Sequence, residues 1–513
     1  MGAVVNNHPM VKVSGLTSSH RSPIGGKVLL FLASFSLVTV LHAACAIYTG
    51  AQQSSDPSSS SRDAVEEKLP NSNRPEQNRE GGKSPVEEYY EQAIRLSPST
   101  KGLHFQLGLE LWNERRVSAA ESNFLQELKI DPACHRAQVM IGMAKLEEND
   151  NKGAIEYLEA ARDADSTLRQ AYLPLGKAWL REGNLQKAQE ALEHAAAAEP
   201  GQPPVYSSLA QIYSKLGRPA DAAAMSELDT KARDLRAAES FAAAGDWAKA
   251  QEADSTFLSA FPDSSRGLYI RGLVLFNGYR KIDEATQALK QSVLKDPANI
   301  EARRLLGIMD WVTGNKPAFE AEMKLVLAAD PLDALAHYYW GRYAFESAHY
   351  QEAREHLELA LRFRAEDERI ATNLALTYEA LGLPAEAEKK HRLAFAIATR
   401  QESSEPWVFL NYGAFLLNTN RPTEALPVLK KAISLPKVHP KAYYLAGVAY
   451  AHAGQPAEAA ACLEKAVAAN PRWPEPHAAL ITVYGELGKT QEADAQKAIL
   501  AKHAPSPEEQ RAR

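Results

Sequence analysis

The sequence of 513 residues predicts an all-α fold in which helix–turn–helix units stack into a solenoid. Two observations lead to this prediction. From residue 84 onward, alanine, leucine and aromatic residues recur at helical spacing, with almost none of the alternation that is typical of strands. Alanine and proline positions also repeat with a period near 34 residues, which indicates an array of similar supersecondary units.

The first part of the chain differs from the rest. Residues 1–27 are polar, and an apolar run without Asp, Glu, Lys or Arg follows over residues 28–50. A helix of roughly 20 apolar residues spans a bilayer, so residues 28–48 are predicted to be a transmembrane anchor. Because Arg21 and Lys27 precede the run, residues 1–27 are expected in the cytoplasm and the bulk of the chain outside it.

Two alternatives for this segment stay open. The most apolar part, residues 28–41, has the length of a signal-peptide core, and Ala44-Cys45-Ala46 offers a cleavage site after Ala46. Cleavage there would give an exported protein without an anchor. The other alternative is a lipid-modified Cys45, although His42 stands where such sites usually carry an aliphatic residue.

Residues 49–84 are rich in Ser, Asn and Gln and have too few large apolar residues to fold, so a disordered linker is predicted there. The repeat array is predicted to occupy residues 85–505, followed by a polar tail at residues 506–513. Residues 86–96 look like the second helix of a repeat that lacks its first helix, and we interpret them as a cap. No stretch of the array is left over for a separate catalytic domain.

Four kinds of position keep a common register along most units. A small residue lies twelve positions before an alanine, a bulky apolar residue lies four after it, and a proline lies twelve after it. The small residue and the alanine are expected where two helices cross closely, with the bulky residue between them and the proline where the second helix ends. The alanines are Ala120, Ala154, Ala188, Ala222, Ala250, Ala285, Ala353, Ala387, Ala425, Ala459 and Ala493, and the glycines at the small position are Gly108, Gly142, Gly176, Gly307, Gly341, Gly413 and Gly447.

This pattern resembles the tetratricopeptide repeat (TPR), and the resemblance covers residues 85–505. It implies about 12 repeats of paired antiparallel helices that stack into a right-handed superhelix with a concave face. Independently, a single unit cannot bury its apolar face alone, so neighbouring units have to stack. The best-matching copies are Leu175-Gly176…Trp179…Ala188…Leu192…Ala195…Pro200 and Gly447…Tyr450…Ala459…Leu463…Ala466…Pro471. The units are expected to begin near Lys101, His135, Arg169, Pro203, Lys231, Arg266, Ile300, Ala334, Glu368, Pro406, Pro440 and Pro474.

Three places depart from the period. Residues 220–244 contain neither Gly nor Pro and their spacing is shortened, which predicts either one fused helix or a shift in stacking. Residues 401–405 are extra and predict a longer loop. Phe319 takes the place of the repeat alanine, which predicts a looser crossing of the two helices in its unit.

The chain carries none of the usual signals of catalysis. A net charge of −6 gives no basic surface for nucleic acid, and three cysteines are too few for a disulfide scaffold or a four-cysteine zinc site. The motifs H-E-x-x-H and G-x-S-x-G do not occur. Gly488-Lys489-Thr490 resembles the end of a phosphate loop, but Val483 stands where that loop needs glycine. The sequence therefore predicts no enzymatic activity, no cofactor and no metal.

TPR ligands commonly lie along the first helix of each repeat, and the resemblance implies the same for this chain. The corresponding positions of four late units combine rings, amides and cations, a mixture that suits an extended peptide. Asn373, Asn411 and Lys441 partly resemble the carboxylate clamp of chaperone-binding TPRs. However, Thr372 and Leu376 stand where that clamp would carry Lys and Asn. The predicted partner-binding residues are Tyr338, Arg342, Phe345, Asn373, Trp407, Asn411, Lys441 and Tyr444.

Trp340 is expected to pack between helices instead, beside Gly341. In the first units the positions that would face a ligand are more apolar, and they form either a second contact surface or part of the core. These residues are Phe105, Leu109, Trp112, Val139 and Met143.

Together these observations predict a non-enzymatic scaffold or adaptor of the bacterial cell envelope that binds a protein or peptide partner. Its repeats would lie on the periplasmic side, anchored through residues 28–48 or exported after cleavage near Ala46. Two alternatives for the function stay open, namely a protein that binds polysaccharide or another small ligand, and a structural protein that assembles with itself.

Overall fold

The computed structural model describes residues 83–503 of the chain. All regular elements in this range are helices, which confirms the predicted all-α class. None of these helices combines the length and the apolar character that crossing a bilayer requires. The predicted anchor at residues 28–48, nearly all of the predicted linker and the tail at residues 506–513 lie outside the described residues.

One leading helix is followed by twelve helix pairs, which we call repeats 1 to 12. The leading helix, α1, packs on the first helix of repeat 1, as expected of a cap. The helices are α1 (Pro85–Leu96), α2 (Leu103–Asn113), α3 (Val117–Ile130), α4 (His135–Glu147), α5 (Asn151–Ala164), α6 (Tyr172–Arg181), α7 (Leu185–Ala198), α8 (Pro203–Lys215), α9 (Pro219–Ala232), α10 (Asp234–Ala243), α11 (Trp247–Ala260), α12 (Ser265–Tyr279), α13 (Ile282–Lys295), α14 (Ile300–Val312), α15 (Lys316–Ala329), α16 (Ala334–Glu346), α17 (Tyr350–Phe363), α18 (Glu368–Ala380), α19 (Pro384–Arg400), α20 (Pro406–Asn418), α21 (Pro422–Ile433), α22 (Pro440–His452), α23 (Pro456–Ala469), α24 (Pro474–Glu486) and α25 (Thr490–His503).

The first helices begin within three residues of the predicted starts, and in eight repeats they begin at the predicted residue. Local chemistry explains these positions. Proline occupies the first turn of many of the helices, where its missing N–H and fixed φ are tolerated. Elsewhere a side chain caps the first turn, as where Asp150 accepts a hydrogen bond from the Gly153 N–H at 3.0 Å.

Within a repeat, a glycine on the first helix lies against a bulky side chain on the second. A Cβ atom added at Gly176 would lie 2.5 Å from Leu192 Cγ, and one added at Gly447 would lie 2.6 Å from Leu463 Cγ. The two leucines are fully buried. The bulky side chain therefore occupies the volume that any side chain at the glycine would need. Equivalent pairs are Gly108–Phe124, Gly142–Leu158, Gly341–Leu357 and Gly413–Leu429.

Repeat 6 makes the same contact through a glycine that the sequence register missed. A Cβ atom at Gly272 would lie 2.6 Å from Leu289 Cγ. Gly272 precedes Ala285 by thirteen positions rather than twelve, because the first helix of this repeat has 15 residues. The turn then passes through Arg280 at φ 56°, so one extra residue shifts the glycine without changing its role.

The looser crossing predicted at Phe319 in repeat 7 stays a prediction. Phe319 is fully buried, and α14 packs on α15 as extensively as the paired helices of other repeats do. A Cβ atom at Gly307 would lie 2.5 Å from Met323 Cε, as close as the added Cβ at Gly176 lies to Leu192. Met323 therefore occupies the place of the leucine in this repeat.

The longer loop predicted at residues 401–405 is confirmed in place, although most of the extra length of this repeat lies in the helix before it. Helix α19 has 17 residues, compared with 14 in the second helix of most repeats, so the extra residues mainly add almost one turn of helix. The loop that follows has five residues, compared with four at residues 330–333. No Gly or Pro interrupts the segment from Ala385 to Arg400, and the helix therefore continues.

The segment at residues 220–244 comes close to the fused-helix alternative. Helices α9 and α10 are separated by the single residue Arg233, whose φ of −71° and ψ of −20° are themselves helical. The chain therefore does not reverse here, as it does between other repeats. Helix α9 packs on α8 within its repeat, but it makes little contact with α10, and Ala232 is its only buried residue.

The described chain divides into an amino-terminal unit, residues 83–339, and a carboxy-terminal unit, residues 340–503. In the amino-terminal unit, Phe105, Leu109 and Val139 are buried, so these apolar positions of the first repeats belong to the core. In the carboxy-terminal unit Trp340 packs as predicted, with its ring stacked on His356 at a centroid distance of 5.6 Å.

The glycine contact predicts opposite effects of two Gly→Ala changes in first helices. Gly447→Ala should lower the free energy of unfolding by about 1–3 kcal/mol, because the new methyl group overlaps Leu463. Gly485→Ala is the matched control, since no atom lies within 4 Å of its added Cβ. It should leave stability unchanged or raise it by up to about 1 kcal/mol through helix propensity. Urea unfolding followed by circular dichroism measures both, and equal effects would contradict the role of the glycine.

Candidate partner-binding surface

The first helices of repeats 10, 11 and 12 lie side by side, since α20 packs against α22 and α22 against α24. Trp407 and Asn411 are four residues apart on α20 and therefore share one face of it. Lys441 and Tyr444 are three residues apart and share one face of α22. We call these four residues, together with His439 and Trp473, the ring–lysine surface.

Two aromatic contacts frame this surface. The ring centroids of Trp407 and His439 are 4.9 Å apart, and those of Tyr444 and Trp473 are also 4.9 Å apart. All four side chains are only half-buried. The rings are thus held in place by the fold, while part of their apolar area stays open to a partner.

His439 and Trp473 were missed by the sequence analysis, which considered positions within the first helices only. Each of the two residues immediately precedes the proline that opens a first helix, and the two are 34 residues apart. A residue before proline favours extended backbone, and both adopt it, with ψ values of 131° and 110°. Both residues occupy the same position in the 34-residue period, and this shared position could have identified them from the sequence.

Lys441 carries a positive charge that no carboxylate balances within residues 83–503. Its side chain is half-buried, and burial lowers its pKa from the usual value. The neighbouring His439 accepts a hydrogen bond from the Lys441 N–H at 3.2 Å through Nδ1. Burial and then the charge of Lys441 lower the pKa of His439, so this imidazole is neutral at pH 7 and Lys441 supplies the local charge.

Asn411 adds an amide to the same surface. It is 8% exposed, yet its side chain makes no hydrogen bond to any residue in the described part of the chain. Buried polar groups are normally hydrogen-bonded, so this amide is available to a ligand's backbone. The next residue, Tyr412, faces the other way and stacks on His391 at a centroid distance of 5.6 Å.

The remaining predicted residues are half-buried or make contacts within their own unit. The Asn373 amide donates to the Arg369 carbonyl oxygen at 2.8 Å, and Phe345 packs against Tyr350. Arg342 is half-buried on α16. Tyr338 is 4% exposed and belongs to the amino-terminal unit.

The two positions at which this chain differs from the carboxylate clamp are buried. Thr372 and Leu376 are each 5% exposed, and the Thr372 hydroxyl donates to the Glu368 carbonyl oxygen at 2.7 Å. The clamp-like groups that remain are Asn411, Lys441 and the half-buried Asn373, whose amide is bonded to Arg369.

The described residues contain neither a metal cluster nor a disulfide bond. No group of three or more His, Cys, Asp or Glu side chains between residues 83 and 503 is arranged to hold a metal ion. Cys134 and Cys462 are free thiols, as expected. Burial raises the pKa of Cys134 to about 11, so its thiolate is scarce at neutral pH.

Comparison with protein families identifies tetratricopeptide repeats in both halves of the array. Family models described as tetratricopeptide repeat match residues 105–169, 145–212 and 179–234. The model of the cilia and flagella-associated protein 70 middle TPR-like domain matches residues 371–502. No curated protein sequence matches the chain.

Several solved structures are similar to the chain at low identity. The TPR domain of P58(IPK) is 16% identical, with 76% of this chain and 98% of that chain covered and a TM-score of 0.33. PilF of Pseudomonas aeruginosa is 18% identical, with 41% and 94% covered and a TM-score of 0.38. Tom70 of yeast is 15% identical, with 79% and 92% covered and a TM-score of 0.34.

The unbalanced charge predicts that Lys441→Met stabilises the fold. Because the folded-state pKa of Lys441 lies below its unfolded value of 10.5, its charged form is disfavoured on folding at neutral pH. That penalty disappears as the pH rises above the unfolded pKa. We expect the variant to gain about 0.5–1 kcal/mol at pH 7 and to lose this advantage near pH 10.5.

The matched control is Lys465→Met, which removes an exposed charge from the second helix of the same repeat. It should not stabilise the protein. Thermal unfolding at the two pH values measures all three proteins, and a destabilised Lys441→Met would show that the charge is balanced within the fold.

Proposed function

The chain is a tetratricopeptide-repeat protein, and from this premise we propose that it is a non-enzymatic scaffold that binds an extended acidic segment of a partner protein. TPR folds generally serve as surfaces for protein–protein interaction, and the proposal assigns that role to the ring–lysine surface. The observation that carries it is Lys441, a half-buried cation without a carboxylate partner in the described residues, beside two aromatic pairs.

The spacing of the helices suits an extended chain. Packed helices lie roughly 8–10 Å apart, and an extended peptide advances about 3.3 Å per residue. Side chains three residues apart in the peptide therefore reach successive first helices. A carboxylate opposite Lys441 would have an apolar side chain on the Trp407–His439 pair and another on the Tyr444–Trp473 pair.

Complementary charge explains why the segment should be acidic. A carboxylate would gain an ion pair in a partly desolvated position, where Coulomb attraction is stronger than in bulk water. The Asn411 amide would bond the peptide backbone beside it. Because the helices hold the rings and the cation in place before binding, little ordering cost falls on the scaffold itself.

The proposal extends to the bacterial cell envelope, with residues 28–48 as the anchor and the repeats on the periplasmic side. It is supported by the uncharged apolar run and by the positive residues that precede it. Residues 49–84 would then act as a flexible tether that lets the repeats search for a partner near the membrane.

Binding of two designed peptides tests the scaffold function. The first is a fluorescent decapeptide with one Asp flanked at three residues on either side by Phe, and the second carries Asn in place of Asp. Fluorescence anisotropy should show about tenfold tighter binding of the Asp peptide to the detergent-solubilised chain, as expected for one ion pair. Lys441→Met should abolish this preference, and Lys465→Met should keep it. Equal binding of the two peptides to the unmodified chain would contradict an acidic partner.

Membrane fractionation tests the anchor. Deleting residues 28–48 should move the protein from the membrane fraction to the soluble fraction, whereas deleting residues 49–69 of the linker should leave it in the membrane. Amino-terminal sequencing distinguishes the cleavage alternative, because a soluble exported protein that begins at Ile47 would exclude an uncleaved anchor.

A further inference from the structure

Repeats that are far apart in sequence touch each other inside the amino-terminal unit. Arg169, at the start of repeat 3, forms an ion pair with Asp296, which follows the last residue of α13 in repeat 6. The same guanidinium donates to the backbone oxygen of Lys295 at 3.5 Å. The two partners are separated by 127 residues, which is unusual in a fold where each repeat contacts mainly its neighbours.

A second contact joins repeat 1 to repeat 7. The Gln106 side-chain amide on α2 donates to the backbone oxygen of Ala329 at 3.3 Å, across 223 residues of sequence. Gln106 and Ala329 are each 8% exposed, so this bond is shielded from water.

Both donors reach the carboxyl end of a second helix. Lys295 and Ala329 are the last residues of α13 and α15, and the final carbonyl groups of a helix lack partners within it. Those ends also carry partial negative charge, which favours a guanidinium. Asp296 is fixed there, because its Oδ1 also accepts the Ala298 N–H at 3.0 Å.

The contact between repeats 1 to 3 and repeats 6 and 7 is polar and involves few residues. No helix of repeats 1 to 3 packs along a helix of repeats 6 or 7 in the described residues. Side-chain exposure is 26% for Arg169 and 14% for Asp296, so dissolved ions have access to the pair. A contact of this kind is held by a few directional bonds rather than by buried apolar area.

The irregular junction at Arg233 lies within the segment that these bonds span. The helices α9 and α10 meet there through one residue, and α9 has only Ala232 fully buried. A buried apolar cluster that includes Tyr206, Ala232 and Phe257 joins the two sides of this junction. The segment is therefore held by apolar packing at its middle and by polar bonds between repeats at its ends.

From these observations we infer that the Arg169–Asp296 pair and the Gln106–Ala329 bond form a latch that holds repeats 1 to 3 against repeats 6 and 7. When the latch is open, these two groups of repeats stand further apart. The latch responds to salt and to competing carboxylates. It does not depend on the proposed function, which uses the carboxy-terminal unit alone.

A distance measurement on the full chain tests the latch. Spin labels are placed at the exposed positions Ser118 and Lys290, on repeats 1 and 6, after the three native cysteines have been changed to serine. At about 0.1 M salt, the pulsed dipolar spectrum should show one narrow distance. Arg169→Gln should raise the ratio of the longer, open distance to the closed one by roughly tenfold, as expected from losing one ion pair.

Two further samples separate a latch from general damage. Lys145→Gln breaks a Lys145–Glu121 pair of similar exposure, 25% and 11%, that joins repeats 1 and 2 without spanning the junction, and it should keep the closed distance. Asp296→Asn keeps an oxygen for the Ala298 N–H but removes the negative charge, so it should open the unit as Arg169→Gln does if the pair acts as a latch.

Salt provides an independent comparison. At about 1 M salt the screening length of about 3 Å weakens a partly buried contact pair without removing it, so the open distance should rise in the unmodified chain by less than Arg169→Gln raises it. Circular dichroism confirms that each variant keeps its helices. An unchanged distance in Arg169→Gln at both salt concentrations would overturn the latch, as would an Asp296→Asn variant that stays closed.

Discussion

The close approach of two helices at a glycine is the constraint on which the rest of the fold depends. Where Gly176 meets Leu192, or Gly447 meets Leu463, the missing side chain lets a leucine lie directly against the first helix. This contact sets the spacing within each repeat, and the spacing decides how the next repeat stacks. Repeat 7 keeps the contact with other side chains, because Met323 lies against Gly307 and Phe319 is buried in place of the alanine.

Features set by local sequence could be predicted, and features set by packing could not. The 34-residue period located the first helices, because proline and capping residues act on their own helix ends. Gly272 was missed because one added residue in its helix moved it out of register. Residue type was enough to suggest Lys441 and Asn411 as binding residues. The burial of Lys441 and the missing hydrogen-bond partner of Asn411 depend on neighbouring helices, so these two properties could not be predicted from the sequence.

The fold treats cations that it withdraws from water in two ways. Arg266 in the amino-terminal unit meets Glu239 at 2.7 Å. Lys177 in the amino-terminal unit and Lys441 in the carboxy-terminal unit are half-buried with lowered pKa values and form no ion pair with a carboxylate in the described residues. Desolvation without compensation lowers stability, and binding sites are where proteins commonly retain such a cost. Lys441 lies beside two aromatic pairs, and this combination favours the ring–lysine surface as the place where a partner binds.

Contacts between distant repeats change the physical character of the amino-terminal unit. A simple repeat array behaves as a one-dimensional chain, in which each repeat is stabilised only by itself and its neighbours. The bonds from Arg169 to Asp296 and from Gln106 to Ala329 couple repeats that are not neighbours. Loosening repeat 6 then weakens the support of repeat 3, so the closed unit has to respond as a whole.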